Sequence, residues 1–123
     1  MPSISTIEII EDDPQIREQY VTVLTRRGFT VTAARNATEG GRLLADTNPD
    51  LILLDILMPG PDGVAFLKAA DLSHEHPNTR VIVLSNVETP EYQRDLADLG
   101  VTRYLIKADY TPDQIADLIA SLG

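Results

Sequence analysis

The chain reads as a doubly wound α/β domain, a five-stranded parallel sheet with helices on both faces. Five short apolar, β-branched runs recur at Ile7–Ile10, Phe29–Thr32, Leu51–Leu54, Val81–Leu84 and Tyr104–Ile106, with helix-like segments between and after them. These runs are continuously apolar rather than alternating, which is the pattern of parallel strands buried on both faces. Right-handed crossovers between such strands leave few topologies open. A length of 123 residues, 43% hydrophobic and 24% charged, suits one globular core.

Each element has a local reason. After the first run, Asp13-Pro14 starts a helix: a capping side chain is followed by a proline at the first helical position, where no N–H is needed. Ile16, Tyr20, Val23 and Leu24 give that helix its apolar stripe, and Gly28 stands where a terminating glycine belongs. The second strand is expected at Phe29–Thr32. A helix from Ala37 to Ala45 follows, weakened by Gly40-Gly41 at about 1 kcal/mol per glycine relative to alanine. Beyond the third and fourth runs, Thr89-Pro90 signals another helix start. Thr111-Pro112 opens the last helix, where Gln114 can complete a capping box and Ile115, Leu118, Ile119 and Leu122 line one face. No repeat, low-complexity tract or linker interrupts the chain, so residues 1–123 are expected to form one domain with no output domain in this chain.

Ten Lys and Arg against nineteen Asp and Glu give a formal charge of -9, which argues against direct nucleic-acid binding, since that requires a basic surface. No run approaches the roughly 18 apolar residues of a membrane span, and Met1-Pro2-Ser3-Ile4 lacks the features of an export signal. A soluble, cytoplasmic protein without membrane partners is expected. The absence of cysteine removes thiolate nucleophiles, disulfides and Cys-based zinc sites. His74 and His76, accompanied only by Glu75 before Pro77, are expected to be solvated loop residues rather than ligands.

In an open α/β sheet, ligands bind beyond the carboxyl ends of the strands. Four of those ends carry polar groups: Glu11-Asp12-Asp13 after the first, Asp55 after the third, Ser85 after the fourth and Lys107 after the fifth. Asp13 is accounted for as a helix cap. Glu11, Asp12 and Asp55 on one rim repel unless a proton or cation intervenes, and oxygen ligands favour a hard cation, Mg²⁺ above all. Lys107, one of two lysines among ten basic residues, follows an apolar strand and can pair with a carboxylate or hold a phosphoryl oxygen. Most other acids, including Glu18, Glu39, Glu91, Asp95, Asp98 and Asp117, fall in expected helices and read as solvated faces.

The stretches Ile7-Glu8-Ile9-Ile10-Glu11-Asp12-Asp13, Asp50-Leu51-Ile52-Leu53-Leu54-Asp55 with Met58-Pro59 and Asp62-Gly63, Val81-Ile82-Val83-Leu84-Ser85, and Tyr104-Leu105-Ile106-Lys107 resemble the receiver domain of two-component response regulators. The resemblance runs from the first strand to the last helix. It implies a flavodoxin-like sheet of order 2-1-3-4-5. It also implies that Asp55 accepts a phosphoryl group from the phosphohistidine of a histidine kinase or a histidine phosphotransfer protein. Glu11, Asp12, Asp55 and the backbone carbonyl of Leu57 would hold Mg²⁺ (or Mn²⁺). Lys107 would contact the phosphoryl group, Ser85 would hydrogen-bond it, and Tyr104 would be the switch aromatic. The face formed by the fourth helix, fifth strand and fifth helix would then change its affinity for a downstream protein, a fused output domain or a second copy of the chain.

Three positions depart from the family pattern. Ala108 stands where proline commonly follows the lysine, and a cis bond before alanine costs about 2.5–4 kcal/mol, so a trans, differently shaped loop is expected. Leu57 and Val87 are apolar where relatives often carry polar groups that influence attack by water, so slow loss of the phosphoryl group is expected. Asn86 occupies a position usually given to a small residue.

Rival functions fare less well. A Mg²⁺-dependent phosphohydrolase with an aspartyl intermediate needs a second acid two residues after the nucleophile, where this chain has Leu57. A phosphorylation-independent interaction module has no use for the full set Asp12, Asp55, Ser85 and Lys107. A dinucleotide-binding role needs a glycine-rich, N–H-donating loop where Glu11-Asp12-Asp13-Pro14 stands.

Overall fold

The computed structural model describes residues 4–56, 63–85, 94 and 96–122. Five parallel strands form one sheet: β1 (Thr6–Ile10), β2 (Thr30–Ala34), β3 (Leu51–Asp55), β4 (Arg80–Ser85) and β5 (Arg103–Ile106). Their order is β2-β1-β3-β4-β5, the doubly wound arrangement expected. Helices α1 (Pro14–Arg26), α2 (Ala37–Thr47) and α3 (Gly63–Ala70) connect the strands, and a last helix spans Pro112–Ser121. Residues 94 and 96–98 are helical, while the expected start at Thr89-Pro90 lies outside the described residues, as do Glu91 and Asp95.

Alternation along the strands divides the core into two layers. On one face, Ile7, Ile9, Leu51, Leu53, Ile82 and Leu84 pack against Tyr20 and Leu24 of α1 and Ile115, Ala116 and Ile119 of the last helix. On the other, Ile10, Ile52, Leu54, Val81 and Val83 meet Leu44 of α2, Phe66 and Leu67 of α3, and Leu96. Full burial of each such aliphatic side chain contributes roughly 1.5–3 kcal/mol, so this two-sided burial dominates the stabilisation.

The helix ends follow the sequence signals. Asp13 Oδ1 accepts hydrogen bonds from the Gln15 and Ile16 amides, and Thr111 and Gln114 form a reciprocal capping box. Gly28, at φ +98°, provides the left-handed turn after α1.

Three expectations need correction. β2 begins at Thr30 rather than Phe29, because the Phe29 N–H is spent closing α1 onto the Leu24 carbonyl at 3.1 Å. His74 is not in a loop but in a single helical turn, Leu72–Glu75, with its Nδ1 2.9 Å from Asp71 Oδ1; His76 Nδ1 lies 2.8 Å from Asn48 Oδ1. The first two runs are not continuously apolar: Glu8 interrupts β1, where it is nonetheless fully buried, and Thr30 and Thr32 alternate with Phe29 and Val31.

α2 runs two residues past the expected Ala45, and its two glycines differ in kind. A Cβ on Gly40 would lie 2.6 Å from Ile10 Cδ1, so a larger residue would seat on β1 only if the Ile10 side chain shifted; one on Gly41 would meet nothing within 4 Å. Among the described residues, no helix is long and apolar enough to cross a membrane.

Candidate functional site

Because the strands are parallel, their carboxyl ends share one edge. Glu11 follows β1, Asp55 ends β3, Ser85 ends β4 and Lys107 follows β5. Glu11, Asp12 and Asp55 each place a carboxylate oxygen within 4.8 Å of the others. Lys107 Nζ lies 2.5 Å from Glu11 Oε1 and 3.6 Å from Asp55 Oδ2. Glu11, Asp55 and Ser85 are buried.

The backbone holds this cluster in place. Cap formation by Asp13 fixes the turn from β1 into α1, and Glu11 Oε2 accepts from the Asp13 amide at 3.3 Å. Arg17, one turn into α1, donates from Nη1 to the Glu11 carbonyl at 2.9 Å. On the β3 side, the Gly63 amide donates to the Ile56 carbonyl at 3.0 Å. A Cβ on Gly63 would lie 2.8 Å from Ile56 Cα and 3.0 Å from the Asp55 carbonyl oxygen, so this glycine permits the chain to return directly behind Asp55. Lys107 opens a 3₁₀ turn, Lys107–Asp109, and the Lys107–Ala108 bond is trans, as the sequence leads one to expect.

Burial pushes the Lys107 ammonium down, but its hydrogen bond to Glu11 and the charges of Asp55 and Glu11 outweigh that effect and leave it above the usual lysine value. It therefore stays charged at neutral pH. Three carboxylates and one ammonium thus share a small region, and the donor set is all hard oxygen, which fits a cation such as Mg²⁺.

Sequence reading assigned Tyr20 to the core stripe alone. It is 4% exposed, and it lines the same small cavity as Glu11 and Asp55. Burial raises its phenol, Lys107 pulls it down, and Glu11 and Asp55 raise it further. A polar atom in an otherwise aliphatic stripe was the one available signal. Arg17 was likewise missed, because an arginine on a helix surface carries no such mark.

Tyr104 lies on β5 in register with Val83 and packs, half-buried, against the core cluster that contains Val83 and Leu96. Leu57, Asn86 and Val87 lie outside the described residues, as do Met58-Pro59 and Asp62.

Comparison with known proteins agrees with this arrangement. Residues 7–120 match the family model described as the response regulator receiver domain. The chain is 30% identical over 116 residues to the uncharacterized transcriptional regulatory protein YxjL of Bacillus subtilis, covering 92% of this chain and 51% of that protein. To protein PetR of Rhodobacter capsulatus it is 36% identical over 99 residues, covering 80% and 40%. The chain therefore spans about half the length, or less, of these curated relatives. Among solved structures, the signal receiver domain of the putative response regulator NarL from Mycobacterium tuberculosis superposes with a TM-score of 0.82 at 30% identity, covering 98% and 97% of the two chains. The chemotaxis protein CheY4 of Vibrio cholerae superposes with a TM-score of 0.88 at 21% identity, covering 98% and 100%, a likeness of fold. With sheet order, strand-end residues and nearly full-length family match in agreement, the chain belongs to the response regulator receiver domain family.

Proposed function

We propose that the chain is a phosphoacceptor: Asp55 takes a phosphoryl group from the phosphohistidine of a histidine kinase or histidine phosphotransfer protein in the cytoplasm, and the modified domain changes its affinity for a downstream partner. The observation that carries this reading is the gathering of Glu11, Asp12 and Asp55 within 4.8 Å beside Lys107. Glu11, Asp12 and Asp55, with the Leu57 carbonyl, would hold Mg²⁺ or Mn²⁺. That ion supplies positive charge where a carboxylate meets an anionic phosphoryl group.

A carboxylate oxygen of Asp55 forms the new bond to phosphorus as the phosphorus–nitrogen bond of phosphohistidine breaks, leaving the imidazole to the donor protein. Lys107 orients a phosphoryl oxygen as a point charge and offsets the developing negative charge. The reaction ends with one phosphoryl group per chain rather than turnover. It adds roughly -1.5 to -2 charge and three acceptor oxygens at the strand ends. A hydrogen bond from the Ser85 hydroxyl to that charged group is worth about 1.5–3 kcal/mol, enough to bias the packing of Tyr104 and the face around β5. That face is where a protein target, a fused output domain or a second copy would bind.

Intact-mass measurement with a small acyl phosphate or phosphoramidate tests the proposal. Wild type should gain one phosphoryl group with Mg²⁺ and little without it, and Asp55→Asn should gain none. No gain on wild type, or equal gain on the variant, overturns the reading.

A further inference from the structure

Three residues before Glu11, on the sheet face opposite Ile7 and Ile9, β1 carries a carboxyl that the phosphoacceptor site does not use. Glu8 is 0% exposed, and neither Oε1 nor Oε2 has a hydrogen-bond partner. Its register neighbour on β2 is Thr32, whose Oγ1 is also buried and without a partner. Two strand positions on, Ile10 and Ala34 form the next such pair in the α2-side core, so Glu8 and Thr32 project beneath α2. Gly40 of α2 covers the carboxyl so closely that a Cβ there would lie 3.4 Å from Glu8 Oε2.

No charged group compensates this carboxyl among the described residues. β2 has no titratable side chain, and Asp55, at the end of β3, alternates to the α1 face with Leu53. On α2, Glu39 is paired with Arg35 at 3.2 Å, and Arg42 and Asp46 are exposed; Lys68 of α3 is exposed too. An isolated ionised carboxylate in such surroundings is costly, whereas a protonated one is tolerable. β2 is an edge strand, and α2 contains adjacent glycines that lower its intrinsic helix stability.

We propose that Glu8 is a pH-sensitive latch: with its proton it lies beneath Gly40 and α2 stays seated on β1, and rising pH shifts α2 toward an open form in which water reaches the carboxylate. Burial alone raises this group in the closed state to about 8. In the opened state the carboxyl regains its ordinary acidity. Opening is therefore unaffected by pH in acid, becomes easier by about tenfold per pH unit between the ordinary value and about 8, and levels off above that. The latch acts on the sheet face opposite Asp55.

Native-state hydrogen exchange on the full chain between pH 6 and pH 9 tests it, with rates expressed as protection factors. In wild type, α2 amides should lose about tenfold protection per pH unit up to about pH 8 while β3 and β4 amides hold theirs. In Glu8→Gln the α2 protection should stay level. Carbon-13 observation of the Glu8 carboxyl in wild type gives a readout that needs no variant. Titration of that carboxyl in the ordinary range, parallel behaviour of wild type and variant, or uniform loss of protection across all elements would each overturn the proposal. If Glu8→Gln does not fold, Glu8→Leu takes its place.

Discussion

Lys107 Nζ lies 2.5 Å from Glu11 Oε1 and 3.6 Å from Asp55 Oδ2, so the lysine's shorter contact is with the carboxylate at the end of β1. The ammonium and a divalent cation therefore compete for the same oxygens. Removing the ammonium leaves the carboxylates more attractive to a cation, while the group that orients the phosphoryl oxygen is lost. Lys107→Met should bind Mg²⁺ several-fold more tightly by calorimetry, an effect of about 1 kcal/mol in a partly solvated site. The same variant should gain a phosphoryl group from a small donor at least tenfold more slowly. Weaker Mg²⁺ binding in the variant would contradict this account.

Gly63 presses on the backbone behind Asp55. Because the nearest atoms include Ile56 Cα and the Asp55 carbonyl oxygen, Gly63→Ala cannot be accommodated by a side-chain rotation. It should destabilise the domain by about 1–3 kcal/mol in urea unfolding and slow phosphorylation as well. An unchanged urea midpoint would show that the close approach is not maintained in solution.

The neighbouring glycines of α2 should respond in opposite directions. Gly40→Ala forces a Cβ against Ile10 and should cost about 1–3 kcal/mol. Gly41→Ala meets nothing and should gain up to about 1 kcal/mol from helix propensity. Thermal or urea unfolding of the two single variants checks both signs.

Asp50 ties the amino end of β1 to the start of β3. Its carboxylate is held below the usual aspartate value, first by the Ser5 amide, against a smaller opposing effect of burial, then by the Thr6 amide and the two hydroxyls. A lowered folded-state value means that the stabilisation is present above the ordinary aspartate range and is lost as pH falls through the folded-state value. Asp50→Asn should therefore lower the urea midpoint at pH 7, and the gap from wild type should narrow toward pH 3. A gap that does not depend on pH would remove the carboxylate from the explanation.

A fifth expectation concerns the lifetime of the modified state. With apolar Leu57 and Val87 two residues beyond Asp55 and Ser85, no side chain at those positions can orient an attacking water. The phosphoryl group should persist for many minutes by intact mass after the donor is removed, and decay within seconds would contradict this.

The alternation of strands and helices, the helix starts at Pro14 and Pro112 and the gathering of Glu11, Asp12, Asp55 and Lys107 were legible in the residues, and the strand order followed from the family resemblance. Hydrophobic runs and caps are local signals, and a parallel sheet brings all strand ends of one polarity to one edge. Periodicity reports which side of an element faces inward. It does not report what that side meets, and several decisive features depend on that. Gly40, which local propensity counts as a weakness, lets α2 approach the Ile10 side chain closely. Tyr20 becomes a neighbour of Glu11 and Asp55 only when α1 packs onto the sheet. Glu8 passes unnoticed in an apolar run until α2 removes its water. The sequence by itself determined the order of the elements and which groups lie at the strand ends. The tertiary structure decided which of those groups touch and which buried group is left without a partner, because contacts and solvent exclusion arise between elements distant in the chain.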